Sequence, residues 1–227
     1  MVDLNKKYAE IKELINNNSP FGNKETSRIL NQWFDHVLTL VRIVVQEHQF
    51  NEKRVLDLGC SYGNSLLYWK ENSEGVEIQE EPVEFLKALG KNVYNLDVEK
   101  DLSRLKKESY DAIYCAALIE HLRSPHSFLT QLGPLLKDDG ILAIAHPVIP
   151  IFPFNYLWKL IVGYQGWMAR DHLYFFTHNT SKLILERAGF KVIKQYSPAF
   201  YRIPFLRKIN NIFLPIGMSC LSICKKQ

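Results

Sequence analysis

Apolar residues recur at spacings of three and four through Leu30, Phe34, Val37, Val41 and Val44, forming one helical stripe, with Thr26 or Ser27 placed to cap its start. Residues 1–50 therefore read as a helical extension that packs on a core beginning near residue 51. From Val55 the pattern changes to short apolar runs ended by Asp, Gly or Pro. Val55 to Leu58 is a strand, followed by a glycine-containing turn and a helical segment from Asn64 to Asn72. Gly75 to Ile78 is a second strand; Glu80, Glu81 and Pro82 then open a helix that Gly90 stops. Val93 to Leu96, ending at Asp97, and Tyr110 to Cys115 are the next strands. Ser124-Pro125 opens a helix running to about Lys137, and Asp139-Gly140 turns into the strand Ile141 to Ala145. Nearly continuous apolar strands separated by helices imply a parallel sheet covered on both faces, a doubly wound α/β fold.

Beyond Pro147 the pattern loosens. Pro147, Pro150 and Pro153 favour extended chain, and Asn155 to Gly163 reads as a short aromatic helix. Regular alternation returns with a helix from Thr180 to Ala188, Gly189 as its C′ residue, a strand Phe190 to Tyr196 and a last strand near Met218 to Cys224. That makes seven strands, mostly parallel, in one domain over residues 51–227. Two connections, 147–179 and 197–217, interrupt it. The first is rich in Phe152, Phe154, Tyr156, Trp158, Tyr164 and Trp167, and connections of that length usually serve as lids or binding elements.

Composition narrows the class. With 47% hydrophobic and 23% charged residues the chain has ample apolar surface for a core, which excludes disordered and fibrous readings. Its net charge of +4 is a C-terminal property: Arg187 to Gln227 holds eight Lys/Arg and no carboxylate, so the preceding 186 residues are net −4. The basic, amphipathic stretch Phe200 to Pro215 is a candidate for peripheral contact with an anionic membrane surface. Arg202, Arg207, Lys208 and Lys194 are too few to point to nucleic acid, and no protein partner is signalled. Four cysteines form no C-x-x-C pair and share no zinc spacing with the seven histidines, so no metal is expected, and a reduced, cytoplasmic setting is. The N-terminus has no secretory h-region, and prolines break the most apolar stretch, Ile141 to Val162.

A doubly wound sheet binds its ligand at the carboxyl ends of the strands, beside the first βα turn. Here that turn is Asp57-Leu-Gly59-Cys-Ser-Tyr-Gly63. Gly59 and Gly63 let the backbone turn tightly and approach a ligand closely. The spacing is not G-x-G-x-x-G, and no Lys-Ser/Thr follows for phosphates, which disfavours a dinucleotide or a nucleoside triphosphate. Glu77, twenty residues after Asp57, stands where a carboxylate accepts both hydroxyls of a ribose. Asp97 ends the third strand and can accept from an exocyclic amine. Three carboxylates at one rim suit a nucleoside bearing an ammonium and a sulfonium.

At these residues the chain resembles the class I S-adenosylmethionine-dependent methyltransferases, with a Rossmann-like fold. The similarity is carried by Val55 to Gly63, Gly75-Val-Glu-Ile78, Asp97, Tyr110 to Cys115, Glu120-His121-Leu122 and Leu136 to Leu142. His172 to Thr177 and Leu183 to Phe190 are similar to the branch that includes ubiquinone-biosynthesis-type methyltransferases. The resemblance implies S-adenosylmethionine as cofactor. Asp57, Gly59 and Gly63 would hold its methionine part, with Cys60, Ser61 and Tyr62 in the same turn. Glu77 and Ile78 would meet the ribose side, Asp97 and Val98 the adenine, and Cys115, Ala116 and Leu118 the sulfonium. Ser61 stands where many members have glycine, and a positive φ there would strain the loop.

His121 and His146, at the ends of the fourth and fifth strands, are candidate general bases for an acceptor hydroxyl. His172, preceded by Asp171, is either an oriented pair or a polar loop. The amino-methylase sequence Asn/Asp-Pro-Pro-Tyr is missing after the fourth strand, where Cys115-Ala-Ala-Leu118 stands, which favours a small-molecule, lipid or glycan acceptor. The branch resemblance implies transfer to oxygen by in-line displacement. The competing readings are a non-catalytic module that binds S-adenosylmethionine or S-adenosylhomocysteine and, with its third glycine missing, an NAD-dependent oxidoreductase.

Overall fold

The computed structural model describes residues 4–18, 37–150, 153, 156, 160, 171–201 and 218–227. The capping residues Thr26 and Ser27, the stripe residues Leu30 and Phe34, most of the aromatic 147–167 connection and the basic stretch from Arg202 onward lie outside the described residues. The chain forms two compact units, Met1–Val98 and Glu99–Gln227.

In the first unit, α1 (Leu4–Asn18) and α2 (residues 37–48) precede β1 (Val55–Leu58), β2 (Glu74–Glu77), α3 (Glu80–Ala88) and β3 (Asn92–Asn95). Val41 and Val44 of the expected stripe are fully buried on α2. The three strands are parallel in the order β3-β2-β1, with Asp57 opposite Gly75 and Glu77 opposite Asn95. All four residues of β1 are buried, as a strand covered on both faces requires. α3 begins with Glu80, Glu81 and Pro82 in its first turn, and Gly90 follows it at φ 73. The helix expected over Asn64 to Asn72 is instead a single 3₁₀ turn, Leu66–Tyr68. Leu66, Leu67, Tyr68 and Trp69 are all buried, and four consecutive buried side chains leave no solvent face for an amphipathic α-helix.

The second unit holds β4 (Tyr110–Ala116), α4 (Pro125–Thr130), β5 (Leu136–Pro147), α5 (His178–Arg187), β6 (Phe190–Tyr196), α6 (Pro198–Tyr201) and β7 (Ser219–Lys226). Its strand order is β4-β5-β7-β6. β4 and β5 are parallel, whereas β7 runs antiparallel to both β5 and β6. The last strand thus enters between two earlier ones, and the seven strands make a mixed rather than purely parallel set. α4 stops at Thr130, short of Lys137, because Gly133-Pro134 cannot continue a helix, and a 3₁₀ turn there leads directly into β5. α5 starts two residues earlier than expected, at a reciprocal cap between Thr177 and Thr180.

One glycine fixes the turn after β1. Gly63 has φ 86, and a Cβ there would lie 2.6 Å from Leu86 Cδ2 of α3 and 3.2 Å from Leu67. Gly63→Ala is expected to destabilise the protein by about 1–3 kcal/mol, from combined φ strain and overpacking, measured as a lower urea midpoint at unchanged slope.

Candidate functional site

In the first unit the turn after β1 is built on positive φ: Gly59 at 72, Ser61 at 47 and Gly63 at 86. Ser61 therefore adopts the left-handed conformation that its replacement of glycine put at issue. Its backbone N–H donates to Glu77 Oε2 at 3.0 Å, so the strained geometry is held by a charge-assisted bond. Gly59 and Cys60 both donate to Val76 O, at 2.9 and 3.2 Å, which ties the turn to β2.

Asp57 is 1% exposed, and its Oδ2 accepts from Ser65 Oγ at 2.7 Å and Trp69 Nε1 at 2.9 Å. Burial pushes its carboxyl up to about 7, the Ser65 and Trp69 hydrogen bonds pull it back in part, and the Glu77 charge pushes it up again. Asp57 is thus not an open rim group; it anchors the segment that follows the turn. Tyr62, expected beside the ligand, is also buried, edge-on to Phe85 with ring centroids 5.6 Å apart.

Glu77 ends β2, half-buried. Beyond its bond from Ser61, its Oε1 accepts the backbone N–H groups of Ile78 at 2.8 Å and Gln79 at 3.0 Å. Three of the roughly four lone-pair directions of a carboxylate are therefore used, which orients the group and leaves one direction for a further donor. Ile78 is 64% exposed, a large apolar side chain standing free at the strand end. Asn95, not singled out in the sequence, donates from Nδ2 to Glu77 O at 3.2 Å and Ile78 O at 2.9 Å, fixing that end of β2 to β3. Its signal was its place opposite Glu77 in the strand register. Asp97 is half-buried just past β3, and Val98 is buried.

In the second unit Cys115 is fully buried in β4, and Ala116 and Leu118 are half-buried at its carboxyl end. Between them Ala117 has φ 51 and donates its N–H to Ala145 O at 2.8 Å. The two candidate bases sit differently. His146 is 3% exposed; its Nδ1 lies 3.0 Å from Pro147 O, so it carries the proton, and its Nε2 accepts from Ser181 Oγ at 2.8 Å. Burial drives its pKa down to about 4, and with both nitrogens engaged it has no lone pair for an acceptor's proton. His121 is half-buried, with Nδ1 3.1 Å from Asp171 O and Nε2 3.9 Å from Glu120 Oε1. His172 packs edge-on against it, ring centroids 4.8 Å apart. This grouping escaped the sequence reading of metal-ligand spacing because its halves are fifty residues apart; the signal was two acid–histidine dipeptides, Glu120-His121 and Asp171-His172. Pro147, Val148, Ile149, Tyr174, Phe175, Phe176, Met218 and His172 line a mostly apolar cavity of about 120 Å³. The four cysteines are buried and in no disulfide. Among the described residues no helix is long and apolar enough to cross a membrane.

A methyltransferase-domain family profile matches residues 24–195. The chain belongs to this family, whose S-adenosylmethionine-dependent class the turn sequence resembles, and S-adenosylmethionine is the cofactor that membership assigns. The ubiquinone biosynthesis O-methyltransferase of Neisseria meningitidis serogroup A is 27% identical over 183 residues, 70% of this chain and 73% of that protein. The pavine N-methyltransferase of Thalictrum flavum subsp. glaucum is 27% identical over 45% of this chain, which spans only 31% of that relative's length. The crystal structure of an S-adenosylmethionine-dependent methyltransferase from Archaeoglobus fulgidus superposes with a TM-score of 0.63 over 87% of this chain and 98% of that one, at 23% identity. The seven strands with their intervening helices are thus the Rossmann-like methyltransferase fold.

The Asp57 carboxyl binds protons more tightly in the folded than in the unfolded chain, whose carboxyl titrates near 4, so it costs stability as pH rises from about 4 to about 7. Asp57→Asn is expected to remove that component, flattening the fall in unfolding free energy across this window by up to about 4 kcal/mol, as read from urea melts at successive pH values.

Proposed function

We propose that the protein transfers the methyl group of S-adenosylmethionine to the oxygen of a small-molecule acceptor by in-line displacement. The observation that carries this reading is the turn after β1, held at positive φ by the Glu77 carboxylate beside an exposed Ile78. That cradle fits a nucleoside without phosphates. Its one anionic group is fixed by backbone N–H groups, it offers a remaining lone pair to a ribose hydroxyl, and Ile78 supplies apolar surface for a base. Asp97 and Val98 would meet the adenine. Gly59, Cys60, Ser61 and Gly63 would run along the methionine side, with Asp57 and Tyr62 supporting them from within. Cys115, Ala116 and Leu118 remain assigned to the sulfonium.

The bound cofactor supplies an electrophilic methyl on a cationic sulfur with a neutral leaving group. What is left to the chain is to align the acceptor and take up its proton. Alignment of this kind can supply about 7–11 kcal/mol of the barrier. The apolar, aromatic cavity with His172 in its wall supports an acceptor with an apolar body, and the N. meningitidis relative named for O-methylation supports oxygen as the nucleophile. His121 is the better-supported proton acceptor. Its Nδ1–H donated to Asp171 O leaves the Nε2 lone pair available, whereas both nitrogens of His146 are spent on Pro147 and Ser181.

Glu77→Ala is expected to weaken S-adenosylhomocysteine binding by roughly 1.5–3 kcal/mol, about 10- to 150-fold, by calorimetry; an unchanged affinity would remove the ribose role. With an acceptor found by screening with radiolabelled methyl donor, His121→Ala should lower turnover by about 10²- to 10⁴-fold while cofactor affinity stays within about twofold. His146→Ala should act through folding stability instead. A variant that folds normally yet loses turnover would restore His146 as the base.

A further inference from the structure

The two peptide planes that leave β2 are held at both ends. The plane joining Glu77 to Ile78 and the plane joining Ile78 to Gln79 each donate their N–H to Glu77 Oε1, at 2.8 and 3.0 Å. The carbonyls of the same two planes, Glu77 O and Ile78 O, accept from the Asn95 side-chain amide, whose Nδ2 lies 3.2 and 2.9 Å away. Both acceptors are carbonyl oxygens, so only the NH₂ end of the amide can face them, and both of its protons are used. A planar peptide cannot turn its N–H without turning its C=O. Asn95 therefore holds, from the carbonyl side, the two donors that orient the Glu77 carboxylate.

The place of Asn95 in the sheet explains how a short side chain reaches both carbonyls. It stands opposite Glu77 at the last matched position in the parallel register of β2 and β3. The backbone adds one more bond there, from Leu96 N–H to Glu77 O at 3.2 Å. The Asn95 side chain then extends the ladder by one carbonyl, to Ile78 O, where β2 has ended and α3 has not begun. Gln79, the N-cap residue of α3, makes no side-chain capping bond. The short link between β2 and α3 is thus shaped by the Glu77 and Asn95 side chains. Glu77 Oε2 meanwhile takes the Ser61 N–H, so a shift of the carboxylate passes on to the turn after β1.

We infer that Asn95 is a positioning residue for the nucleoside cradle: by holding the peptides from Glu77 to Gln79 it fixes the Glu77 carboxylate against the ribose, and so sets the preference for a ligand that carries its ribose hydroxyls. The inference rests on the ribose role proposed for Glu77 and deepens it. Asn95 acts through Glu77 and Ile78, not by contact with the ligand. Without its amide the two planes lose their hold on the carbonyl side, and a carboxylate whose donors swing loses the fixed direction of its remaining lone pair. A carboxylate held in one direction discriminates between a hydroxyl and a hydrogen. One that can turn toward water discriminates less, because solvent then makes up the bond that the ligand lacks.

The test is calorimetric binding of S-adenosylhomocysteine and of its 2′,3′-dideoxy analogue to the full chain, unaltered and as Asn95→Ala and Asn95→Asp. The unaltered chain is expected to prefer the ligand with both hydroxyls by about tenfold or more, the size of a hydrogen bond to a charged group. Asn95→Ala should bring that preference down to about threefold or less, as the loss of oriented bonding requires. Asn95→Asp keeps the side-chain size but turns acceptor oxygens toward both carbonyls, and should lose the preference to the same extent. A change that only loosened the fold would weaken both ligands alike and leave their ratio intact. Asn95 is exposed, so both variants are expected to fold, and either one alone is decisive. A preference that survives in either variant overturns the role of Asn95 and leaves that of Glu77 standing. Equal binding of the two ligands by the unaltered chain removes the ribose role of Glu77, and the inference with it.

Discussion

The bond from the Ser61 N–H to the Glu77 carboxylate holds a non-glycine residue at positive φ, and the geometry of the turn after β1 depends on it. Left-handed backbone at a residue with a Cβ is disfavoured by about 1 kcal/mol or more, and a charge-assisted hydrogen bond is of sufficient size to offset it. The same carboxylate also takes the N–H groups of Ile78 and Gln79. One side chain at the end of β2 therefore sets the path of two loops at once, and the conformation of each limits the other. Asp57 acts on the same turn from below, through Ser65 and Trp69, so the segment leaving the turn is pinned while the turn is strained. A loop fixed in this way loses little further conformational freedom when a ligand settles on it, which is the structural meaning of preorganisation.

Two of the second unit's buried polar side chains, His146 and Glu120, have opposite solutions. His146 and Glu120 are about equally hidden, yet His146 has a donor and an acceptor matched to its two nitrogens, while Glu120 has neither oxygen matched. Burial shifts both away from their charged forms: the imidazole is driven down to about 4 and the carboxyl is pushed up. At neutral pH His146 is a settled, neutral member of the interior. Glu120 is held toward its neutral form by burial, with no donor on either oxygen.

Strand positions were largely legible because they depend on local apolar runs. Val55–Leu58 and Phe190–Tyr196 stand where the pattern put them, and the start of α3 follows from Glu80, Glu81 and Pro82. The direction of β7 was not legible, since antiparallel insertion between β5 and β6 is a matter of chain path that an apolar octapeptide cannot express. The length of α4 was misjudged by following apolar periodicity through Gly133-Pro134, where the backbone chemistry of two residues overrides the pattern. At the site, residue types and strand ends could be read, but not which carboxylate is buried. Asp57 and Glu77 look alike in sequence, each an acid at the end of an apolar run, and only the Ser65 and Trp69 donors, eight and twelve residues away, separate their roles.

Asp57 and Glu77 are two carboxylates of different standing on one turn, the first buried and the second half-buried. A group that meets a ligand must keep a lone pair and some solvent access, which forbids the deep burial that makes an anchor rigid. An anchor must be buried and held by protein donors, which takes it away from solvent. Asp57, with hydroxyl and indole donors on one oxygen and almost no exposed surface, meets the second condition. Glu77, half-buried and held by backbone N–H groups, keeps one lone pair and some solvent access. The division between a buried, side-chain-held carboxylate and a more exposed, backbone-held one follows from the cost of burying charge.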